Sequence, residues 1–399
     1  MPDPTLIRSR AAYNLASRVQ ILSCQSHRRF DVMHGLGYPL YAQRGQGAHL
    51  TDVDGNEYLD YLMGFGPIVL GHNNPVVKET VREQMEEGTV YSLCHPLEIE
   101  VAELLIEVIP AAEMIGFYLG GSCATTGAVR IARAYTKRDA IIRCGYHGWH
   151  DWTRPNDPGV PDIVSDLTST HDYGDLNQLE ELLKSRAGEV ACVVVETVQK
   201  SGPPEGYLAG CVSLAHKHDA LCVFDETKVG FRVALGGAGE HLGIDPDMSI
   251  FAKAISNGYP GSFLTGRKEI LGAESTRSLW MTGTFQSDLL TLAAIRATVG
   301  ELLKHDGISR QWKLGERLMA GANAAFEKAA LSFRLTGYSP MPTPTVDESD
   351  RDRCFGILRS CLSKGHYLHP MHPWYLSLAH TEADIDSTVT AVEGAISES

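Results

Sequence analysis

With 399 residues, 43% of them hydrophobic and 21% charged, the chain is long enough for one large core with a smaller companion domain, and its composition is that of an ordinary soluble globular protein. A formal charge of −14 argues against a nucleic-acid surface or an anionic membrane as the main partner. The opening residues lack a long apolar core followed by a cleavage site, and no run of about 18 uninterrupted apolar residues occurs, so a cytoplasmic location is expected. Nine cysteines form no CxxC pair and sit mostly in apolar stretches, which predicts reduced structural thiols for most of them, Cys123 excepted, and no metal site.

Residues 1 to about 37 read as a polar, helical arm carrying Arg8, Arg10, Arg18, Arg28 and Arg29. In AHLTDVDGNEYLDYL the pair Asp54-Gly55 marks a hairpin turn between two short strands. A Gly-rich stretch then leads to a helix over about 75–87, and the spacing of Ile99, Ala102, Leu105, Ile106 and Ile109 predicts an amphipathic helix over 98–109.

Strand-like runs follow at 115–119, 140–143, 190–195, 221–224 and 248–251, alternating with helical patterns. That alternation predicts a largely parallel sheet with helical crossovers. The run 263–265 fits a further, antiparallel strand, and 153–175, rich in Pro, Asp, Ser and Gly, reads as a loop. Long helices are expected at 289–304 and 308–330, then short strands, a Pro-rich turn at 340–344 and a helix from about 381. The expected organisation is an arm and part of a small domain at 1–50, a large domain at 51–300 and a C-terminal small domain at 301–399.

Three of the apolar runs end in ionisable groups, the run 190–195 in Glu196 and two others in residues that can be read as a pair. Leu221-Cys222-Val223-Phe224 runs into Asp225 and Glu226, and Met248-Ser249-Ile250-Phe251-Ala252 runs into Lys253. The C-terminal edge of an open α/β sheet is where ligands bind. An acid and a lysine meeting there make either a structural ion pair or the two protein anchors of pyridoxal phosphate (PLP), the lysine through a Schiff base and the acid through the pyridinium proton. Ile115–Leu119 stops at Gly120-Gly121-Ser122 before a helical pattern, a strand–turn–helix geometry that presents N–H groups to an anion, although glycine pairs in turns are common. The aromatic turn GYHGWHDW is either a hydrophobic plug or an aromatic face over a flat ring.

From about Tyr38 onward the chain resembles the class III (subgroup II) PLP-dependent aminotransferases, and within them the glutamate-1-semialdehyde aminomutase-like branch. GAHLTDVDGNEYLDY, VLGH, GSCATTGAVRIARAYT, YHGWHDW, FDET, the strand before Lys253, GTF and YLSLAHTEADID occur in the family's order. The resemblance implies PLP as cofactor and a fold-type-I architecture: a mostly parallel, seven-stranded-type sheet flanked by helices, with a smaller α+β domain built from the N- and C-terminal segments.

Carried over by position, the resemblance makes Lys253 the Schiff-base lysine and Asp225 the partner of the pyridine nitrogen. Gly121 and Ser122 match the phosphate turn, Tyr146 the residue stacked on the ring, and Glu196 an acid near the cofactor. Thr284 matches the threonine that reaches the partner subunit's phosphate, which implies a homodimer with shared active sites. His147 and Glu226 are candidates for supporting or structural roles. Arg28 or Arg29 lies where the branch carries a carboxylate-binding arginine.

The departures are as informative. The phosphate turn commonly reads Asn-Ser-Gly-Thr/Ser-Glu-Ala in the family and here reads Leu119-Gly120-Gly121-Ser122-Cys123-Ala124, so Cys123 stands where an acid is usual. After GTF the usual Gly-Asn-Pro is replaced by Gln286-Ser287-Asp288, and 334–353 is abbreviated. The expected activity is ping-pong transamination between an amine donor and a carbonyl substrate, in specialised biosynthesis such as that of amino sugars, aminoglycosides or other secondary metabolites. An epimerase, racemase or aminomutase is the alternative reaction, and an idle PLP-binding regulator a remote one.

Overall fold

Asp52 organises the first turn. Its Oδ1 accepts the backbone N–H groups of Asp54 and Asn56, each at 2.9 Å, and its Oδ2 accepts from Asn56 Nδ2 at 2.8 Å and the Tyr58 hydroxyl at 3.0 Å. A carboxylate saturated by its own turn favours this hairpin over extended alternatives. Strands β1 (Ala42–Gln46), β2 (His49–Asp52) and β3 (Glu57–Asp60) accordingly form an antiparallel meander. Asp54 then accepts the backbone N–H groups of Arg8 (2.7 Å) and Ser9 (2.9 Å), supplying acceptors at the start of the helix Ile7–Val19. The computed structural model describes residues 6–21, 33 and 35–399; Arg28 and Arg29 lie outside the described residues.

The seven-stranded sheet is built from β4 (Met114–Tyr118), β5 (Ala140–Cys144), β6 (Thr168–Thr170), β7 (Val190–Glu196), β8 (Leu221–Asp225), β9 (Met248–Ala252) and β10 (Ser262–Gly266), in the order β4-β10-β9-β8-β7-β5-β6. Pairings from β9 across to β6 are parallel, and β10 runs antiparallel to both neighbours. The central strands are apolar throughout because both sheet faces are covered: β8, β9 and β10 are buried at every position, and β7 at all but Glu196. The helix Gly121–Thr136 packs on one face through Ala124, Ala128, Ile131 and Ala132. Phe251 and Phe263, on β9 and β10, stack with centroids 4.9 Å apart, and Phe231 meets both edge-on at 6.0 and 6.4 Å.

One expectation fails within this sheet. Residues 153–175 are not all loop: a short helix, Asp162–Asp166, leads into β6, which pairs in parallel with β5 as the edge strand. A three-residue strand among Pro, Asp and Ser carries too few apolar residues to show a period, and its β-pairing comes from β5 rather than from local propensity.

The remaining strands are β11 (Arg334–Thr336), β12 (Thr343–Thr345) and β13 (His366–Tyr367). β11 and β12 form a hairpin, so residues expected to be a Pro-rich turn at 340–344 include two of the three residues of β12. β13 pairs in parallel with β3, His366 opposite Leu59. The chain divides into two units, Met1–Pro75 with Ser309–Ser399, and Val76–Ile308. Residues 51–75, expected in the large domain, therefore belong with the terminal segments, because the free edge of β3 is satisfied by β13. Among the described residues no helix is long and apolar enough to cross a membrane.

The stacked phenylalanines make the packing testable. Phe251→Ala removes a fully buried ring and should cost about 3–5 kcal/mol, with Phe251→Leu costing less. A urea midpoint within surface-mutation scatter of wild type for the alanine variant would contradict this packing.

Candidate functional site

β7, β8 and β9 end side by side and deliver Glu196, Asp225 and, one residue on, Lys253. Glu196 sits in register with Asp225 across the β7–β8 pair. Lys253 itself has φ +56, in the left-handed region, and opens a short turn, Lys253–Ser256, that reverses the chain into β10. It retains some accessible surface, but desolvation first, and then the charge of Lys228, lowers the pKa of its amine to about 8; Glu196 and Asp225 oppose this and Arg232 adds to it. An amine in that range is a usable nucleophile near neutral pH.

Asp225 is 3% exposed, and a carboxylate so placed requires partners. His147 Nδ1 lies 2.8 Å from Asp225 Oδ2, and its Nε2 lies 3.0 Å from the Cys144 carbonyl. A carbonyl only accepts, so Nε2 carries a proton and donates to it. Asp225 Oδ1 accepts the Thr227 N–H at 3.1 Å. Burial pushes the Asp225 carboxyl up, but His147, by hydrogen bond and charge, and Thr227 more than offset it, so the carboxyl stays below its ordinary value. Trp152 stacks on the buried face of His147 at 5.9 Å.

The aromatic turn thus divides its residues. His147 and Trp152 are buried, whereas Tyr146 is 64% and Trp149 74% exposed. Gly145 (φ +101) and Gly148 (φ +102) bracket Tyr146-His147 and allow one ring outward and the next inward. Both also permit close approach: a Cβ on Gly145 would sit 2.4 Å from Glu196 Cβ, and one on Gly148 would sit 2.0 Å from Ser122 Oγ. Gly148 therefore fits against the start of the helix Gly121–Thr136, and Thr125 Oγ1 donates to the His147 carbonyl at 3.0 Å. Gly121 and Ser122 occupy the first turn of that helix, where N–H groups lack intrahelical acceptors and the dipole favours an anion. Cys123, next in line, is exposed.

Glu196 accepts the Tyr146 N–H at 3.1 Å through one oxygen and Lys228 Nζ at 2.7 Å through the other. Glu226 has a different task. Fully buried, it accepts from Thr197 Oγ1 (2.8 Å), Ala238 N (3.0 Å) and Gly239 N (2.9 Å), closing the start of the helix Gly237–Leu242. Burial raises its pKa to about 7 against those hydrogen bonds.

Thr284 and Gln286 stand apart from this group. They line a cavity of about 590 Å³ with the segment 89–95 and β4 residues Ile115–Tyr118, and its walls include neither Lys253 nor Asp225. Lys228 and the buried Arg232, whose charges both act on Lys253, escaped the sequence reading. The available signal was a lysine three residues after a paired-acid strand end, which has no meaning until its partner Glu196 is located.

The donor set suits PLP: an amine biased toward its neutral form, a buried carboxylate kept ionised, and a helix start closed against a glycine. The comparisons with known proteins point the same way. The sequence pattern of the family described as Aminotransferase class-III matches residues 34–337. The glutamate-1-semialdehyde 2,1-aminomutase of Roseiflexus castenholzii (strain DSM 13941 / HLO8) is 34% identical over 393 residues, covering 90% of each chain. The 3-aminobutyryl-CoA aminotransferase of Cloacimonas acidaminovorans (strain Evry) is 32% identical over 375 residues, again covering 90% of each. Among solved structures, the PLP internal aldimine form of the Sphingopyxis sp. MTA144 FumI protein superposes with a TM-score of 0.90 at 26% identity, covering 98% of this chain and 96% of that one. The chain belongs to the class III aminotransferases, PLP-dependent enzymes of fold type I.

Proposed function

We propose that the protein is an aminotransferase that moves an amino group between an amine donor and a carbonyl substrate in two half-reactions. The observation that carries this reading is Lys253 following β9, with a buried, ionised Asp225 at the end of the adjacent β8. PLP, when bound, supplies an electron-withdrawing ring that stabilises negative charge developing at the substrate carbon. Lys253 Nζ would hold the cofactor covalently and, when free, would accept a proton from the substrate carbon and return it. Asp225 would hold the proton on the cofactor's ring nitrogen, and His147 keeps Asp225 ionised and fixed in rotation. Tyr146 would offer its exposed ring as a stacking face, and Gly121 and Ser122 would cradle the phosphate.

Thr284, on a separate wall of the unit, is assigned to the phosphate of a second subunit, so the working form is a homodimer. The altered turn around Cys123 and the Gln286 segment suit a substrate of specialised biosynthesis, and a screen of amines followed by the cofactor's absorbance tests that choice. An isomerase is the second reading, favoured by the curated relatives named as aminomutases. It returns the proton, or the amine, within one substrate molecule. Incubation of enzyme and amine in deuterated water without a keto acid separates the two: transamination stops after one turnover with the cofactor aminated, whereas isomerisation continues and accumulates deuterium.

Lys253→Ala should abolish borohydride-stable attachment of PLP and lower turnover at least about a hundredfold. Undiminished attachment at another lysine in that variant overturns the assignment. In wild type, the rate of covalent uptake by cofactor-free protein should rise with pH and level off above about 8, as the Lys253 ammonium loses its proton.

Removing the partner of Asp225 tests the other anchor. A depressed carboxyl pKa contributes stability that is present above its ordinary value of 3.8 and lost as pH falls through the depressed value. In His147→Leu burial acts without that opposition, the carboxyl rises, and the sign of its contribution reverses. Melting temperatures should therefore differ most at neutral pH, by the equivalent of about 3–5 kcal/mol, and converge toward pH 4. A difference independent of pH would show that the pair does not hold the Asp225 charge.

A further inference from the structure

The Glu196–Lys228 pair has no part in the roles assigned above. Its members are 14% and 16% exposed, and they close a bridge between elements far apart in sequence. Glu196 ends β7, Lys228 follows β8, and the other Glu196 oxygen holds the N–H of Tyr146 in the turn after β5. Gly145 lies against Glu196 too closely for a Cβ, so the turn is seated on this carboxylate. A carboxylate in this position, one strand from Lys253's own neighbour Asp225, has two cations within its electrostatic reach.

We propose that Lys228 is a positioning residue that claims Glu196, so that this carboxylate braces the Tyr146 turn instead of forming an ion pair with Lys253. The inference rests on the role proposed for Lys253. The charged groups acting on Lys253 are Lys228 and Arg232 on one side of the balance and Glu196 and Asp225 on the other. Asp225 is already committed to His147 and Thr227. Glu196 is the acid left to be compensated, and Lys228 compensates it while adding its own charge against the Lys253 ammonium. Buried ion pairs also occur as plain structural links, and these affect folding without setting the proton affinity of a third group.

The test reads Lys253 directly. The full chain, freed of cofactor, is acylated at a series of pH values with a small amine-reactive anhydride, and labelling of the Lys253 peptide is followed by mass spectrometry. Wild type should show a midpoint near 8. Lys228→Met should move it up by about one pH unit, roughly tenfold less free amine at a given pH below the midpoint. Glu196→Gln should move it down, and Lys228→Arg should restore the wild-type value. Opposite shifts for the two partners are what a pair acting on Lys253 produces and a structural link without influence on that amine does not. An unchanged midpoint in Lys228→Met, or an upward shift in Glu196→Gln, overturns the proposal, and if the methionine variant does not fold the Glu196→Gln and Lys228→Arg results decide. Borohydride trapping of PLP on wild-type Lys253 is run in parallel. Its failure rejects the function proposed for Lys253, while the cofactor-free midpoints still report on Lys228.

Discussion

A carboxylate sealed at the end of a central strand has to be paired, and the pairing of Asp225 with His147 fixes much of the surrounding structure. His147 reaches Asp225 with one ring nitrogen and the Cys144 carbonyl with the other, so the imidazole spans from the end of β5, over β7, to the end of β8. Trp152 closes over it, and Trp152 in turn is tied to the helix Gly121–Thr136, where its Nε1 donates to Thr126 Oγ1 at 2.9 Å. Through that chain one buried charge sets the relative places of the phosphate-type helix start, the exposed Tyr146 ring and the strand end. Each ring nitrogen of His147 is committed, which leaves the side chain no second rotamer with equal satisfaction.

How much of this was legible in the sequence follows from which residues depend on local pattern. β7, β8 and β9 announce themselves, because strands buried on both faces must be apolar without interruption, and the ionisable residue closing each run marks the functional edge. Asp225, Glu196 and Lys253 could therefore be placed from their runs alone. β6 could not, since an edge strand of three residues takes its conformation from β5. The assignment of residues 51–75 to the large domain failed for a related reason: β13 is two residues long and lies about three hundred positions from the β3 edge it covers. Lys228 is the same problem at the scale of a side chain. Its partner is 32 positions away, and no spacing rule connects them.

Glu226 shows how adjacency misleads. It neighbours Asp225 in sequence, yet alternation along an extended segment sends successive side chains to opposite sides. Asp225 meets His147, whereas Glu226 turns to the start of the helix Gly237–Leu242 and spends both oxygens there. Paired acids at a strand end thus separate into one that meets the aromatic turn and one that closes a helix start, and only their hydrogen bonds tell them apart.

Lys253 carries the remaining sign of function in its backbone. A lysine at φ +56 bears a local cost of about 1–3 kcal/mol that glycine would not. The turn is otherwise well held: Ser256 is buried and its hydroxyl donates to the Tyr259 carbonyl at 2.6 Å, and the chain reverses over residues 253–261 to lay β10 antiparallel on β9. Glycine at 253 would relieve the strain and preserve the turn but would remove the amine. A strained lysine at a position where glycine would be unstrained is therefore not explained by what the fold requires, which supports the role proposed for its amine. That makes the strain an argument for Lys253 independent of its charge environment.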